Sequence, residues 1–400
     1  MHMKDNRIFR LSCGALVLFL ALAVVTVPTH AQTESLLYSF CPTKGCTDGK
    51  YPDFVALVMD AKGNLYGTTQ NGGAHFDGTV FRVTPSGQEE FYSFKNNGMD
   101  GVGPAYGLVF DKQGNLYGTT WGGGLFGYGT VFKISPAGVE TVLHSFNEGA
   151  GDGANPEGAL VIDANGNLYG ATQNGGTNCL PAGCGSVFQI TPTGEVTILY
   201  SFSNNGTDGI YPGAGLALDT NGNLYGTTGA GGTNNKGTVF ELSPSNVETI
   251  LHSFDQNGAD GHNPGYAPLV LDREGNIYGT TAVGGAQDLG TAFKVTPSGV
   301  ETILHSFGAN NQDGQFPYGG LVLDPAGNLF GTTDLGGPNE EGTVFKLTPS
   351  GAETIIYSFA GYLNDGQNPS GSLLIAKGSI YGVAQAGGAT GYGTVFKIAP

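Results

Sequence analysis

The sequence predicts an all-β fold, a seven-bladed β-propeller of four-stranded antiparallel blades. Three observations support this prediction. One repeat unit occurs seven times, each unit contains four short strand-like segments, and the two ends of the repeat region supply complementary parts of one unit. The last observation predicts that the N-terminal strand closes the ring by completing the last blade.

The repeat is marked by an aromatic residue within the motif L-Y-G-T-T and its variants. This residue occurs at Tyr66, Tyr117, Tyr169, Tyr225, Tyr278, Phe330 and Tyr381. Successive copies are 51 to 56 residues apart. Four strands in a unit of this length are typical of a propeller blade. A parallel β-helix is the alternative, but its coils are shorter and lack tight antiparallel turns.

The second unit illustrates the strands. Its short segments are rich in β-branched and aromatic residues and are bounded by Gly, Pro, Asn or Asp. We predict strands at Tyr106–Phe110, Asn115–Thr120, Gly129–Ser135 and Val139–Phe146. A D-x-x-G-N turn joins the first two strands, and a Pro-x-Gly turn joins the last two in most units. A glycine recurs within every second strand, as at Gly118. Because mid-strand glycine weakens pairing, its recurrence predicts close approach by an aromatic residue of the adjacent blade.

The ends of the repeat region complement each other. The last unit stops after its third strand, at Gly393–Pro400. The segment Ser35–Phe40, near the N-terminus, resembles the fourth strand of the other units, as in Ile355–Phe359. We therefore expect the N-terminal segment to pair with the last unit and to remove two exposed sheet edges.

The first 31 residues have the pattern of a secretory signal peptide. Lys4, Arg7 and Arg10 precede an apolar run, and Thr29–Ala31 provides small residues for cleavage. An uncleaved membrane anchor is the alternative, but the run is short for a membrane span. We predict a signal peptide over residues 1–31 and a single propeller over residues 32–400. The protein is then exported, to the periplasm, the cell surface or the medium, and we expect it to be a monomer.

The charge balance excludes two classes of partner. The whole chain has a net charge of −17, and removal of residues 1–31, with three basic residues and one acidic residue, leaves −19. Such an acidic chain has no basic surface for nucleic acid and no attraction to an anionic membrane. No transmembrane segment is expected in the mature chain.

Four cysteines remain after the signal peptide. They form two C-x4-C pairs, Cys41/Cys46 and Cys179/Cys184. In an exported protein, this spacing predicts two local disulfides. The alternative is a four-thiolate metal site, which would require two distant loops to meet and usually shows C-x2-C spacing.

The repeat resembles a known family. The motifs L-Y-G-T-T, G-T-V-F-K-L-T-P-S-G and E-T-x-L-Y-S-F are similar to the GloVer-type tandem repeat of bacterial exported proteins, the choice-of-anchor group, over residues 35 to 400. This resemblance implies secretion and propeller-like repeats, but no activity. Members of that group often carry a C-terminal surface anchor, whereas this chain stops inside a repeat.

Residues that recur in every unit are expected to be architectural, because a catalytic group is needed only once. A D-G-x-x-P motif places Asp48, Asp100, Asp152, Asp208, Asp260, Asp313 and Asp365 in turns. Calcium is the alternative ligand of these carboxylates, but their spacing differs from that of known calcium loops. His144, His252 and His305 occupy a position held by tyrosine in the other units, which indicates packing. We predict no catalytic residue, no metal ligand and no cofactor.

Unit-specific aromatic residues give the candidate binding site. The loops between strands 2 and 3 and those between blades are expected on one face, which we call the long-loop face, and binding residues are usually found on such loops. Aromatic residues concentrate there in blades 7, 1 and 2, whereas blades 4, 5 and 6 have Asp288, Asp334, Glu340 and Glu341 in the loops between strands 2 and 3. The predicted ligand-binding residues are Trp121, His75, Phe76, Phe126, Tyr128, Tyr392 and Tyr51. Flat exposed rings suit sugar faces or an apolar protein partner.

Two hypotheses of function follow. The first is a non-catalytic binding or scaffold propeller that recognises extracellular carbohydrate or a protein on its long-loop face. The second is an extracellular enzyme acting on a carbohydrate or a lactone in the central channel. The sequence favours the first, because it shows no recognisable acid, base or metal motif.

Overall fold

The computed structural model describes residues 34–399 except 43, 44, 86, 105, 150, 256, 257 and 362–364. The predicted signal peptide, residues 1–31, lies outside the described residues. Every regular element in the described part of the chain is a β-strand. Seven four-stranded antiparallel sheets form the ring of a β-propeller, so the predicted fold class is confirmed.

The strands recur at equivalent positions in each blade. The first strands are Val58–Met59, Val109–Phe110, Val161–Ile162, Ala217–Leu218, Val270–Leu271, Val322–Leu323 and Leu374–Ala376. The second strands are Leu65–Thr69, Leu116–Thr120, Leu168–Thr172, Leu224–Thr228, Ile277–Thr281, Leu329–Thr333 and Ser379–Ala384. The third strands are Thr79–Thr84, Thr130–Ile134, Ser186–Ile190, Thr238–Leu242, Thr291–Val295, Thr343–Leu347 and Thr394–Ile398. The fourth strands are Gly87–Ser93, Glu140–Ser145, Val196–Ser201, Glu248–Ser253, Glu301–Ser306, Glu353–Ser358 and, for blade 7, Glu34–Ser39.

The ring closes as the ends of the sequence predict. Glu34–Ser39 pairs antiparallel with Thr394–Ile398, so the N-terminal strand becomes the outer strand of blade 7. Phe40 follows this strand, is fully buried, and packs edge-on against Phe81 of blade 1 at 5.0 Å between ring centroids. Closure therefore joins blade 7 both to the chain terminus and to blade 1.

Phenylalanine pairs form the contact between neighbouring blades. In each pair, the ring that follows a fourth strand packs against the third-strand ring of the next blade, at 5.0 to 5.2 Å. The pairs are Phe40/Phe81, Phe94/Phe132, Phe146/Phe188, Phe202/Phe240, Phe254/Phe293, Phe307/Phe345 and Phe359/Phe396. All fourteen rings are fully buried. Edge-on contacts of this kind add to the free energy of apolar burial.

The mid-strand glycines are explained by a ring of their own blade. A Cβ at Gly118 would lie 2.6 Å from Phe132, its cross-strand partner. The same clash recurs in every blade, for example 2.7 Å between Gly279 and Phe293. The prediction that an adjacent blade supplies this aromatic residue is therefore wrong. The third-strand ring covers the glycine of its own sheet, and the adjacent blade contributes the ring that packs edge-on against it.

Two sets of loops share one face of the ring. In six junctions, a two-residue strand of the inter-blade loop pairs with one that follows the second strand, as Gly153–Ala154 pairs with Asn174–Gly175. The seventh junction has a single bridge between Lys50 and Asn71. This pairing holds the loops between blades against the loops between strands 2 and 3, as the long-loop face requires.

Both predicted disulfides are formed. Cys41 is bonded to Cys46, and Cys179 is bonded to Cys184, so the four-thiolate metal site is excluded. Among the described residues, no helix is long and apolar enough to span a membrane.

Candidate functional site

The repeated Asp of the D-G-x-x-P motif is a structural group. Asp100 accepts hydrogen bonds from the Tyr92 hydroxyl at 2.8 Å and from the Lys95 backbone N–H at 3.1 Å. Asp313 accepts from His305 Nε2 at 3.2 Å and from the Ala309 N–H at 2.8 Å. The interchangeable Tyr and His residues therefore have the same role, a hydrogen bond to the repeated Asp. Both also pack edge-on against the Phe two positions further along the chain.

Among the described residues, a half-buried glutamate approaches this Asp from the next blade at five junctions. These residues are Glu34, Glu140, Glu248, Glu301 and Glu353, and one carboxylate oxygen of each is buried without a hydrogen-bond partner. Burial is the main cause that raises the pKa of each of these carboxyls to about 7. The charge of the Asp at the same junction adds to the increase. We call each Tyr or His, Asp and Glu group a junction cluster.

Two junction clusters have ligand types that suit a metal ion. The ligand atoms of His252, Asp260 and Glu301 lie within 4.8 Å of one another, and those of His305, Asp313 and Glu353 do the same. Three other junctions carry Tyr in place of His with the same Glu and Asp. Because the arrangement persists where the nitrogen ligand is absent, we interpret these clusters as blade joints.

Aromatic rings meet on the axis of the ring at the long-loop face. Phe54, which precedes the first strand of blade 1, lies 6.0 Å from Tyr266 of blade 5 and 6.3 Å from Tyr106 of blade 2. Tyr318 of blade 6 contacts Phe54 at 6.1 Å and Tyr266 at 5.5 Å. These four residues, which we call the axial cluster, bring together blades that are not neighbours in the ring.

A cavity of about 380 Å³ opens beside the axial cluster. Its lining includes Glu157, Tyr211 and Tyr266, together with amide side chains and glycines. We call this space the mouth cavity. The ten described residues that line it are Glu157, Gln173, Asn174, Tyr211, Gly213, Gly229, Ala230, Asn263, Gly265 and Tyr266. A cavity with both rings and convergent polar groups is the usual form of a small-ligand site.

Glycines create the room for this cavity. A Cβ at Gly213 would lie 2.7 Å from the Gly265 carbonyl and 3.3 Å from a carboxylate oxygen of Glu157. A Cβ at Gly265 would lie 2.9 Å from the Cα of Gly229. Side chains at these positions would fill the space between blades 3, 4 and 5.

Glu157 is the acidic group of the cavity. It accepts hydrogen bonds from Gln173 Nε2 at 2.8 Å and from the side chain of Trp121. Burial raises the pKa of this carboxyl to about 7, against the opposing effect of the Trp121 hydrogen bond. A carboxyl in this range can donate or accept a proton near neutral pH.

Two further carboxyls lie near the axial cluster. Asp53 is buried and accepts from Ser370 at 2.6 Å and from Gln385 at 2.8 Å. Burial and the charge of Asp53 raise the pKa of Asp334 to about 6. Burial, together with Glu157, Asp53 and Tyr266, holds the pKa of Tyr106 well above its ordinary value. The axial cluster is thus surrounded by acidic groups.

Three aromatic residues of the loops between blades are held in an unfavourable backbone conformation, and one of them, Tyr211, lines the mouth cavity. The residue before the proline of D-G-x-x-P has positive φ in every unit, and in four units it is Gly103, Asn155, Asn263 or Asn368, which tolerate that region. In the other three units, Tyr51, Tyr211 and Phe316 have φ of 56°, 59° and 57°. Bulky side chains in this region cost about 1–3 kcal/mol each, and such strain concentrates at functional sites.

The structure separates the seven predicted ligand-binding residues. Trp121 is 53% exposed and reaches Glu157 beside the mouth cavity. Tyr51 and Tyr392 contact each other at 5.6 Å beneath Lys50, and Phe76 and His75 are exposed at the tip of a blade 1 loop. Phe126 lines an outer groove, and Tyr128 packs partly into the core.

Alignment of the loops between strands 2 and 3 missed Glu157, Tyr211, Tyr266, Phe316 and Tyr318. These residues lie in the loops between blades. The signal that could have found them was a comparison of the positions just before and after the loop proline, where the units differ most.

Solved structures with similar folds are propellers of several kinds. A streptogramin B lyase matches with a TM-score of 0.58 at 13% identity, covering 92% of this chain and 96% of that one. The extracellular domain of a protein assigned as a hybrid two-component system of B. thetaiotaomicron matches at 0.57 and 13%, covering 92% and 41%. PorZ, a surface component of the type-IX secretion system of Porphyromonas gingivalis, matches at 0.51 and 16%, covering 87% and 46%. These identities establish the fold alone.

No curated protein matches the sequence. The profile of one repeat family, however, matches over residues 23–182 and again over residues 180–396. Those two matches include nearly all of the seven blades, in agreement with the resemblance that the repeat motifs indicate. The chain belongs to the Gloeobacter/Verrucomicrobia repeat family.

Proposed function

We propose that this protein is an exported binding propeller that recognises carbohydrate at the mouth cavity on its long-loop face. The observation that carries the proposal is the contrast between units at this cavity. At the position before the loop proline, where four units hold Gly or Asn, blade 4 places the strained aromatic residue Tyr211 in this cavity, together with the Glu157 carboxyl and a glycine-lined space. The two predicted disulfides and the repeat family of the chain support export.

The lining suits a sugar. The rings of Tyr211 and Tyr266 are 41% and 42% exposed, so they can stack on the apolar face of a pyranose. Gln173, Asn174 and Asn263 offer amide donors and acceptors to hydroxyl groups. The cavity volume of about 380 Å³ matches a ligand of one or two sugar rings.

The single tryptophan allows a direct test. Soluble oligosaccharides are titrated against the exported protein while the fluorescence of Trp121 is recorded. We expect a saturable change with a binding oligosaccharide, because the indole donates to Glu157 at the edge of the cavity. Tyr266→Ala should weaken binding about tenfold or more, the typical loss of a stacked ring.

Leu180→Ala is the matched control, because Leu180 is 71% exposed in the inserted blade 3 loop and does not line the cavity. Unaltered binding in Tyr266→Ala would contradict the assignment. Phe76→Ala and Phe126→Ala test whether the wider aromatic sector of blades 7, 1 and 2 takes part, as the sequence predicts.

An enzyme is the second candidate function, and Glu157 is the observation that favours it. A carboxyl with a pKa of about 7 can act as a general acid or base on a sugar or a lactone. A pooled screen of polysaccharides, lactones and esters distinguishes the candidates. Turnover that is lost in Glu157→Gln while binding persists would establish the enzyme; binding without turnover of any compound supports the binding protein.

A further inference from the structure

We infer that the saccharide taken by the mouth cavity carries a free amino group, whose ammonium binds between Glu157 and the rings of Tyr211 and Tyr266. This inference rests on the proposed function, since it names the class of sugar recognised at the same cavity. It follows from the charge, the rings and the space around Glu157.

The charge at the mouth is acidic and uncompensated by cations of the lining. The ten described residues of the cavity include Glu157 but no lysine or arginine. Asp53 and Asp334 add two carboxyls near the axial cluster, and the charge of Asp53 acts on Asp334. A uronate or a sugar phosphate would be repelled by the Glu157 carboxylate, whereas an ammonium would be attracted to it.

Four lysines of the blades lie over aromatic rings outside the mouth cavity. Lys133, Lys294 and Lys346 lie over second-strand rings at 5.6 to 5.7 Å, within the blade sheets. Lys397 lies over Tyr381 in the same way at 5.8 Å. The repeat thus places lysine beside aromatic residues in the blade bodies, whereas Tyr211 and Tyr266 have no lysine or arginine beside them among the described lining residues of the mouth cavity.

The rings provide the second half of the recognition. An ammonium within about 6 Å of an aromatic face is attracted by the ring quadrupole. Tyr266 is backed by Phe54 at 6.0 Å and by Tyr318 at 5.5 Å, so its orientation is fixed by packing. Glu157 is likewise oriented by Gln173 and Trp121. A ligand therefore meets a carboxylate and a ring that are both already positioned.

The glycines leave access to this pair. Gly213 stands next to Glu157, and a Cβ there would approach its carboxylate to 3.3 Å. Substitution of Gly213 by a larger residue would cover the carboxylate oxygen that Gln173 also contacts. The space suits a primary ammonium, which is small and makes three hydrogen bonds.

The test compares four oligosaccharide series of equal length by calorimetry: glucosamine, N-acetylglucosamine, glucose and galacturonate. We expect glucosamine oligomers to bind at least about tenfold more tightly than the acetylated series, the effect of one charge-assisted hydrogen bond. Glu157→Gln should abolish that preference while leaving the weaker binding of glucose oligomers in place. Glu340→Gln, an exposed carboxyl of the same face outside the cavity, is the control and should bind as the wild type does.

The comparison of the series separates failure of the inference alone from failure of both proposals. If acetylated or neutral oligomers bind as tightly as glucosamine oligomers, or if the preference survives in Glu157→Gln, the inference of an amino sugar is wrong while carbohydrate binding stands. If spermidine binds and no saccharide does, an ammonium is recognised but the sugar is not, which overturns the inference and the proposed function together. If none of these compounds binds, both are wrong. Tyr266→Ala should weaken the binding of every series and serves as the variant that removes a ring but leaves the acid in place.

Discussion

The second strands and the residues that follow them differ in a way that separates the framework of this propeller from its mouth. Six of the seven second strands end in Thr, and in five of those blades its hydroxyl contacts a Thr of the third strand, as Thr69 contacts Thr79 at 2.8 Å. The next residue is of five different types among the seven units. It is Gln70, Trp121, Gln173, Gly229, Ala282, Asp334 and Gln385 in blades 1 to 7.

The last residue of the second strand and the residue after it differ in variability because their surroundings differ. The Thr side chain lies between strands of a closed sheet, where its volume and hydrogen bond are fixed by a neighbour that also repeats. The following residue leaves the sheet toward the ring axis, where Trp121 reaches Glu157 and Gln385 reaches Asp53. Packing and this hydrogen bond constrain the first position to Thr in six of the seven units, whereas the second position is free to differ. Unit-specific residues at the mouth are therefore the ones available for binding.

The largest expected effect comes from breaking the framework at its closure. Deletion of Glu34–Phe40 removes the outer strand of blade 7 and the fully buried Phe40 ring against Phe81. We expect aggregation or a large fall in melting temperature, because a sheet edge and an apolar surface are exposed. Thermal unfolding is compared with that of the chain lacking residues 1–31 only. A truncated protein as stable as this control would disprove closure by the N-terminal strand.

A smaller effect tests the ring-over-glycine packing that every blade repeats. Gly279→Ala places a Cβ 2.7 Å from both Leu269 and Phe293, and overpacking of this kind costs about 1–3 kcal/mol. Gly122→Ala is the matched control, since its nearest atom would be 3.8 Å away and its φ is not positive. Chemical denaturation measures both variants. Equal stability of the two variants would show that the Phe ring can move aside to accept the added Cβ, and that this packing does not require glycine.

The smallest effect is the pH dependence of the junction clusters. Glu248 has a folded pKa of about 7, raised from 4.5, so the folded state binds a proton that the unfolded state has lost. Its stabilising contribution is complete below pH 4.5 and is lost as the pH rises through 7. The same sign holds for the other four junction glutamates.

Unfolding of the wild type is measured at pH 5 and at pH 8, and the same is done for Glu248→Gln. We expect the loss of stability between the two values to be smaller in the variant, because the amide does not titrate. The turn carboxyls, such as Asp272, have a lowered pKa and act only at more acidic pH. An identical pH dependence in both proteins would show that Glu248 is not protonated in the folded state.

The sequence alone determined the repeat, the blade count, the ring closure and both disulfides. These features depend on local sequence patterns: strand-forming residues and Asp and Gly turns in the repeat units, two pairs of cysteines five positions apart, and an additional fourth-strand segment near the N-terminus. The sequence also made Trp121 a candidate binding residue, because a residue that occurs once among seven copies is noticed without any knowledge of its neighbours, and this role stays a prediction.

Only the tertiary structure decided which ring covers each glycine and which residues meet at the mouth. Gly118 and Phe132 are partners through strand register, and Phe54 and Tyr266 are more than 200 residues apart in the chain yet lie 6.0 Å apart. Ring closure brings the loops of all seven blades to one axis, so contacts form between units that are distant in sequence. Periodicity reveals that the units are alike, but the geometry of the closed ring decides which of their differences come together.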